Sequence, residues 1–387
     1  MTLIERLLAG KIKHGTLGIE RADGSFTELG SKHAGWPDVT LRIHTAAAER
    51  RILLNPRLGL GEAYIDGGVS VGDDDIMGLI ELVRRNNPWE RGGEIGDPGM
   101  LKRLGSQLVR PLRQMNNLGR SRANVAHHYD LSNDFYRLWL DSDMQYSCAY
   151  WPDPNIGLEQ AQLSKKAHIA AKLALQPGQR VLDIGCGWGG MALYLNQIAD
   201  VEVLGITLSE EQLKLARERA SAAGVSDRVT FELIDYRDFA RTAQGQFDRI
   251  VSVGMFEHVG VPQFETFFRS AVNLLKDDGV MLLHTIGRMG KPGATDAFTR
   301  KYIFPGGYIP ALSETLSASE KSKLIATDIE NLRLHYAFTL RAWYARLMAQ
   351  REAIIAMMDA RFYRMWIFYL AGATAAFEWG GMCNYQI

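Results

Sequence analysis

The chain has 387 residues, a length that favours two or three domains of ordinary size. Hydrophobic residues make up 47% of the chain and charged residues 23%, which is ordinary for a globular protein. Lys and Arg number 44, as do Asp and Glu, so the formal net charge is zero and gives no indication of a nucleic-acid partner.

The cysteines, Cys148, Cys186 and Cys383, are scattered and odd in number. This argues against a disulfide framework and favours a reducing, cytoplasmic location. The consecutive residues His127 and His128 have no third ligand at metal spacing, so we predict no metal site. The first residues lack the pattern of a signal peptide, and no apolar run is long enough to cross a bilayer.

The first 85 residues predict a small α+β domain. Residues 41–45 alternate like a half-buried strand, and residues 76–83 space their apolar side chains along one helix face. Six basic residues then occur with no acid between them: Lys102, Arg103, Arg110, Arg113, Arg120 and Arg122. We predict a basic linker over residues 86–125, either a solvated amphipathic helix or a patch that meets anionic lipid headgroups.

Strands and helices alternate from residue 160 onward, which predicts an α/β fold, a doubly wound and mostly parallel sheet with helices on both faces. The predicted strands are residues 180–184, 201–207, 229–234, 247–253 and 279–285. An insert over about residues 295–323 is loop-like in composition, and it is either a lid over the site or a static packing loop. Residues 383–387 are typical of a last edge strand.

Residues 181–190, Val-Leu-Asp-Ile-Gly-Cys-Gly-Trp-Gly-Gly, lead from a strand into closely spaced glycines. Glycines let the backbone approach a ligand closely, and Asp183 stands at the strand end, where an open α/β sheet binds its ligand. A dinucleotide fits poorly, because the glycine spacing differs and the next strand ends in Thr207 without an acid for the ribose. The alternative is a tight turn with no ligand.

Further motifs narrow this prediction. They are residues 127–136 (His-His-Tyr-Asp-Leu-Ser-Asn-Asp-Phe-Tyr), 144–151 (Met-Gln-Tyr-Ser-Cys-Ala-Tyr-Trp), 255–260 (Met-Phe-Glu-His-Val-Gly), 282–287 (Leu-Leu-His-Thr-Ile-Gly) and 302–307 (Tyr-Ile-Phe-Pro-Gly-Gly). With the glycine loop, which resembles motif I of the S-adenosylmethionine-dependent methyltransferases, they resemble the cyclopropane-fatty-acyl-phospholipid synthase family. Mycolic acid cyclopropane synthases are close relatives. The resemblance implies a class I, Rossmann-like methyltransferase domain over residues 126–387 and a lipid-binding domain over residues 1–85.

The resemblance also implies which residues contact S-adenosylmethionine. They are Tyr146, Ser147, Asp183, Gly185, Gly187, Thr207, Gln212, Tyr236 and Arg237. Generic methyltransferases place an acid after the second strand, whereas Thr207 and Gln212 stand there in this chain. Ser209 and Gln212 also form a capping-box pattern, which explains them without a ligand.

In the resembling family the cofactor's methyl is transferred to a cis double bond of an unsaturated acyl chain, and proton loss to bound bicarbonate closes a cyclopropane ring. The bicarbonate ligands carry over to Cys148, Glu257, His284, the backbone amide of Ile286, and Tyr336. Thiol, imidazole, hydroxyl and amide groups can donate to its oxygens, and Glu257 can accept a proton. A Cys or a strand-end His taken alone is more often an ordinary core residue. Because neighbours on a strand point opposite ways, we expect His258 to have a structural role.

The expected partner is an unsaturated phospholipid in the bilayer, reached by a cytoplasmic enzyme that binds transiently at the inner membrane surface. No nucleic acid is expected, and the oligomeric state, including a homodimer, stays open. Two alternatives remain: a methyltransferase that gives a methylene- or methyl-branched chain, and a non-catalytic lipid-binding relative.

Overall fold

The computed structural model describes Glu5, Leu8, residues 10–93 and residues 132–387. Most of the predicted basic linker, together with His127 and His128, lies outside the described residues. The chain divides into two compact units. Unit 1 comprises Met1–Arg103, Asp296–Ile303 and Leu340–Gly381, and unit 2 comprises Leu104–Thr295, Phe304–Thr339 and Met382–Ile387.

Unit 1 contains a four-stranded sheet in the order β2-β1-β3-β4, in which only β1 and β3 pair in parallel. The strands are β1 (Gly15–Arg21), β2 (Phe26–Ser31), β3 (Asp38–Ile43) and β4 (Val69–Val71). The helices from this part of the chain are α1 (Ala46–Leu54), α2 (Pro56–Ile65) and α3 (Ile76–Asn86). Leu41 and Ile43 are buried and Arg42 is exposed, so the alternation predicted for this strand is confirmed.

Two later segments also belong to unit 1, which differs from the contiguous domains that we predicted. One contains a π-helical turn (Thr299–Ile303), and the other contains α12 (Arg351–Met357) and α13 (Ala360–Glu378). Helix α13 packs against α2 and α3 and buries an apolar face that includes Ile367 and Leu370. This grouping depends on tertiary burial, which composition along the chain does not reveal.

Unit 2 is built on a seven-stranded sheet in the order β10-β11-β9-β8-β5-β6-β7. The strands are β5 (Arg180–Ile184), β6 (Glu202–Thr207), β7 (Val229–Leu233), β8 (Phe247–Val253), β9 (Leu275–Arg288), β10 (Glu330–Asn331) and β11 (Met382–Gln386). Strands β5 to β9 pair in parallel and the last two pair antiparallel, so the predicted doubly wound, mostly parallel sheet is confirmed. The helices are α4 (Asn133–Arg137), α5 (Leu158–Leu173), α6 (Gly190–Ala199), α7 (Glu210–Ala222), α8 (Tyr236–Phe239), α9 (Phe264–Leu274), α10 (Leu312–Lys321) and α11 (Arg333–Ala349), the last of which enters unit 1 at Leu340.

Both faces of this sheet are covered. Val181 and Leu282 lie in an apolar cluster with α5, α6 and α7, whereas their neighbours Leu182 and Leu283 lie in a second cluster with α8, α9 and α10. Successive side chains of a strand point to opposite faces, so a strand buried on both sides is apolar at every position. This is why the inner strands appear in the sequence as continuous apolar runs.

Two expectations about the later chain need correction. Strand β11 is not an edge strand, because it lies between β9 and β10. The insert over residues 295–323 is not a simple loop either, because it contains α10, which packs on α9 and buries Thr315, Ala318 and Ser319. The lid role of this insert stays a prediction.

Candidate active site

A cavity lies at the carboxyl ends of β5, β6, β7 and β8. This is the edge at which open α/β sheets bind ligands, and the chain order reverses there between β5 and β8. All nine predicted cofactor contacts line the cavity: Tyr146, Ser147, Asp183, Gly185, Gly187, Thr207, Gln212, Tyr236 and Arg237. The structure therefore brings residues from four separate segments to one place.

The glycine loop between β5 and α6 adopts a backbone that side chains would obstruct. Gly185 has a φ of 82°, and a Cβ there would lie 2.7 Å from the Cβ of Met255. Gly187 has a φ of 53°, but an added Cβ would meet nothing within 4 Å. Gly185 is therefore needed for the fold of the loop, whereas Gly187 borders open space that a ligand can use.

Asp183 ends β5 inside this cavity and is almost fully buried, at 1% exposure. Its Oδ2 has no hydrogen-bond partner among the described residues, and burial raises the pKa of the carboxyl to about 7. A buried carboxyl in this state is well suited to a cationic partner. The methionine part of S-adenosylmethionine carries an ammonium group, so the unpartnered carboxyl of Asp183 fits this cofactor.

Thr207 and Gln212 form the wall beyond β6. The hydroxyl of Thr207 donates to Gln212 Oε1 at 3.0 Å, and Ser209 Oγ accepts from the Gln212 backbone amide at 3.3 Å. Ser209 is thus the predicted helix cap, but the Gln212 side chain is directed to Thr207 instead of closing a capping box. This arrangement leaves the NH2 group of Gln212 as a donor at the cavity wall.

Beyond β7, the Arg237 side chain is held by a carboxylate that the sequence did not single out. Asp235 is 2% exposed, and it accepts from Arg237 Nε at 2.8 Å and Nη2 at 2.7 Å. The paired hydrogen bonds fix the plane of the guanidinium at the cavity wall. Tyr236, between them, is buried, and burial raises the pKa of its hydroxyl, which therefore stays protonated.

Glu257 lies on a 3-10 turn (Phe256–His258) after β8. Its Oε1 accepts from the backbone amide of Ile286 at 2.6 Å, while Oε2 has no partner in the described part of the chain. Burial raises the pKa of this carboxyl to about 7, against the lowering effect of the Ile286 amide. The carboxyl therefore changes protonation near neutral pH, as a group that exchanges protons in catalysis should.

His258 needs a correction, because it lies on this turn and not on a strand. Its side chain lines the cavity, and burial lowers its pKa to about 4, so it is neutral at physiological pH. The argument from alternating strand neighbours therefore does not apply to it. The strand predicted over residues 247–253 ends before this turn, and β8 has those bounds.

His284, on β9, is enclosed by the terminal strand. Its ring nitrogens lie 3.1 Å from Asn384 Nδ2 and 3.2 Å from Gln386 Nε2, and burial keeps its pKa well below the usual value. A neutral imidazole has one N–H and one acceptor nitrogen, so one of the two amides must present its oxygen. Gln386 Oε1 otherwise lacks a partner, and turning this amide over would satisfy both groups.

The five predicted bicarbonate contacts are thus not equally available. The Ile286 amide donates to Glu257, and both ring nitrogens of His284 face side chains of β11. Cys148 and Tyr336 are buried at 1% and 6% exposure, and burial raises the pKa of the Cys148 thiol so that it remains protonated. The Cys148 thiol already donates to the carbonyl oxygen of Ala149 at 3.3 Å. The residues present therefore fit an anion only in part, with Glu257 Oε2 as the group that lacks a partner among the described residues.

Within residues 10–93 and 132–387, no helix is long and apolar enough to cross a membrane. The same part of the chain contains no cluster of three or more His, Cys, Asp or Glu side chains that could hold a metal ion.

The fold and the cavity together define a class I S-adenosylmethionine-dependent methyltransferase: Asp183 and the glycine loop lie at the carboxyl edge of a doubly wound sheet, and the sheet ends in an antiparallel strand. The comparisons with known proteins narrow this class. Residues 116–387 match the model of the mycolic acid cyclopropane synthetase family, and the chain belongs to that family. The resemblance seen in the sequence is thereby confirmed.

Curated relatives and solved structures support the same family assignment. The chain is 41% identical over 380 residues to a probable fatty acid methyltransferase of Pseudomonas putida, covering 97% of this chain and 91% of that protein. It is 40% identical over 340 residues to the cyclopropane-fatty-acyl-phospholipid synthase of Escherichia coli strain K12, covering 87% and 84%. The crystal structure of mycolic acid cyclopropane synthase CmaA1 complexed with SAH and CTAB superimposes with a TM-score of 0.64 at 35% identity, covering 68% of this chain and 96% of that one.

Proposed function

We propose that this enzyme transfers the methyl group of S-adenosylmethionine to a cis double bond in an acyl chain of a membrane phospholipid, and that proton loss then closes a cyclopropane ring. The observation that carries the proposal is the buried carboxyl of Glu257, with one oxygen unpartnered and a pKa of about 7. An alkene has no proton to remove before it attacks a methyl group. The proton must leave afterwards, from the methylated cation, so the site needs a buried base.

The burial of the predicted base-side residues supports cation chemistry. Cys148, Glu257, His284 and Tyr336 are each at most 8% exposed, so water has little access to a cation formed near them. Water would capture such a cation as an alcohol, and its exclusion favours ring closure. S-adenosylmethionine would supply the electrophilic methyl group. Asp183 would hold its ammonium group, and the open space at Gly187 would admit its methionine part.

We also propose bicarbonate as the group that removes the proton. Cys148 and Tyr336 would donate hydrogen bonds to it, and Glu257 Oε2 would accept its hydrogen. The Cys148 thiol would first have to exchange its present hydrogen bond to the Ala149 carbonyl. The Ile286 amide and His284 would join only after exchanging theirs to Glu257, Asn384 and Gln386. In assays kept free of carbon dioxide, turnover should be lower without added bicarbonate than with it, while cofactor binding should be unaffected. Equal turnover with and without it would contradict this assignment.

The phospholipid substrate is proposed from the similarity to the Escherichia coli cyclopropane-fatty-acyl-phospholipid synthase. We further propose that the enzyme meets its substrate at the inner membrane surface, with unit 1 as the lipid-binding part. The Pseudomonas relative carries the broader description of a fatty acid methyltransferase, so a methylene- or methyl-branched product is the second candidate.

One experiment separates these products. The protein is incubated with methyl-labelled S-adenosylmethionine and liposomes of cis-unsaturated phospholipid, and the released fatty acids are analysed by mass spectrometry before and after catalytic hydrogenation. A cyclopropane gives the mass of one added methylene with the olefin lost, whereas a methylene branch retains a reducible double bond. The control is Glu265→Gln, an exposed glutamate of α9 paired with Arg269, which should behave as the wild type. No label in the lipid, despite bound cofactor, would contradict the proposed function.

A further inference from the structure

Residues 141–148 form a sharply turned segment that carries two of the predicted cofactor contacts, Tyr146 and Ser147. The buried carboxylate of Asp141 accepts from the backbone amides of Asp143 at 3.1 Å and Gln145 at 2.8 Å. Met144 has a φ of 55°, a left-handed conformation that non-glycine residues rarely adopt. Such a conformation persists only where surrounding groups hold it, so the contacts of this segment matter for the shape of the cavity.

Helix α5 holds the segment with two side chains that lie one turn apart on the same face. Gln162 Nε2 donates to the carbonyl oxygens of Gln145 at 3.2 Å and Ser147 at 3.0 Å. Lys165 Nζ donates to Gln145 Oε1 at 2.5 Å and to Ser147 Oγ at 2.9 Å. Backbone and side chains of the segment are therefore bound together by one helix.

The start of α6 lies against the same segment, and this explains why Gly190, the last glycine of the loop, has no side chain. A Cβ at Gly190 would lie 2.4 Å from Gln145 Nε2 and 2.6 Å from the Asp143 carboxylate. The carboxylate of Asp143 is paired in turn with Lys166 and Arg219. The segment is thus enclosed by helices on two sides, with its Ser147 face toward the cavity.

Lys165 is fully buried, which is rare for lysine. Burying its ammonium group costs free energy unless the charge is paired or hydrogen-bonded. Burial lowers the pKa of its ammonium group to about 8, so the charge can be lost within a pH range where the protein can be studied. Six charged or titratable groups interact with its charge: Asp141, Asp143, Cys148, Lys166, Asp183 and His284. Three of these are predicted site residues, so this charge belongs to the environment of the site.

We infer that Lys165 is a positioning residue for the cofactor, because its ammonium group donates to Ser147 Oγ and so directs the Ser147 hydroxyl proton into the cavity. A hydroxyl that accepts from a cation keeps its own hydrogen for another partner. A neutral lysine can accept that hydrogen instead, and the donor would then be lost from the cavity wall. The inference rests on the proposed binding of S-adenosylmethionine in this cavity.

The test measures binding of S-adenosylhomocysteine by calorimetry between about pH 7.5 and 9.5, a range that spans the pKa of Lys165, about 8, and lies above the pKa of Asp183, about 7. The variants are Lys165→Met and, as a matched control on the same helix, Lys172→Met, whose side chain pairs with Asp328 and Glu330. The ligand's own amino group titrates identically in all three proteins and therefore cancels in the comparison.

We expect Lys165→Met to bind about tenfold more weakly at pH 7.5, the equivalent of one charge-assisted hydrogen bond. We expect the wild type and Lys172→Met to lose affinity above about pH 8 and the Lys165→Met protein to lack this loss. Equal affinity at pH 7.5, or the same pH profile in all three, would overturn the inference.

If Lys165→Met does not fold, Ser147→Ala provides the second test, because it removes the hydroxyl and retains the lysine. The loss of affinity above about pH 8 should disappear in that variant, and its persistence would overturn the inference. Absence of any binding by the wild type would overturn the proposed function and this inference together. Binding without dependence on the lysine would overturn this inference alone.

Discussion

Replacing Glu257 by Gln should make the protein more stable at pH 8 while abolishing most of its activity. The folded-state pKa of this carboxyl is about 7, above its ordinary value of 4.5, so the folded state holds the proton more tightly than the unfolded chain does. Its stabilising effect is complete below pH 4.5 and is lost as the pH rises through 7. Each pKa unit corresponds to about 1.4 kcal/mol, so the loss amounts to about 3 kcal/mol at pH 8.

Glutamine cannot ionise, and its Oε1 can keep the hydrogen bond from the Ile286 amide. Its NH2 group would replace the unpartnered Oε2 at a cost of about 1–3 kcal/mol, independent of pH. The difference in unfolding free energy between variant and wild type should therefore shift by about 3 kcal/mol in favour of the variant between pH 5 and pH 8.

Urea unfolding followed by tryptophan fluorescence at both pH values measures this shift, with Glu265→Gln as the control that should show none. Turnover of the Glu257→Gln protein should decrease by at least about a hundredfold, because the NH2 group that replaces Oε2 can neither accept the hydrogen of bound bicarbonate nor take up a proton. Cofactor affinity should be unchanged. A pH-independent difference in stability would refute the raised pKa, and wild-type turnover would refute the catalytic role.

Two further predictions concern the cofactor side of the cavity. Binding of a cationic ligand should restore ionisation of Asp183 and release up to about half a proton at pH 7, which calorimetry in buffers of different ionisation enthalpy measures. The Asp183→Asn protein should bind the ligand at least about tenfold more weakly and release no proton. Equal proton release by the two proteins would refute the contact. Gly185→Ala should destabilise the ligand-free protein by more than about 2 kcal/mol, because left-handed backbone strain and a close contact with Met255 combine. Gly187→Ala should cost only the left-handed strain, about 1 kcal/mol. Equal melting temperatures of the two variants would contradict this difference.

The sequence predicts that the proposed cofactor contacts lie together, and they line one cavity, because most of them lie at or near strand ends. Asp183 and Thr207 lie at the carboxyl ends of β5 and β6, and Gly185 follows β5 directly; the carboxyl ends of neighbouring parallel strands must meet at one edge. Recognising the strands therefore brings their following residues together without any knowledge of side-chain packing. Lys165 escaped this reasoning because a lysine on a helix gives no sign of being buried.

The base half of the site could not be derived in this way, because antiparallel and irregular contacts build it. Glu257 lies on a turn after β8, its partner Ile286 lies inside β9, and His284 is fixed by side chains from a strand 100 residues later. No periodicity relates these positions, so only resemblance to known motifs grouped them in the sequence.

The two halves also differ in how they would respond to ligand. The cofactor side presents unpartnered or outward-directed groups, such as Asp183 Oδ2 and the Gln212 amide, which can bind without breaking existing bonds. On the base side, Ile286 and His284 already donate or accept within the protein, so an anion there must exchange those bonds. Exchange of one hydrogen bond for another has a small net free energy, although each unmade bond would cost about 1–3 kcal/mol. Anion binding at Glu257 should therefore be weak and easily reversed.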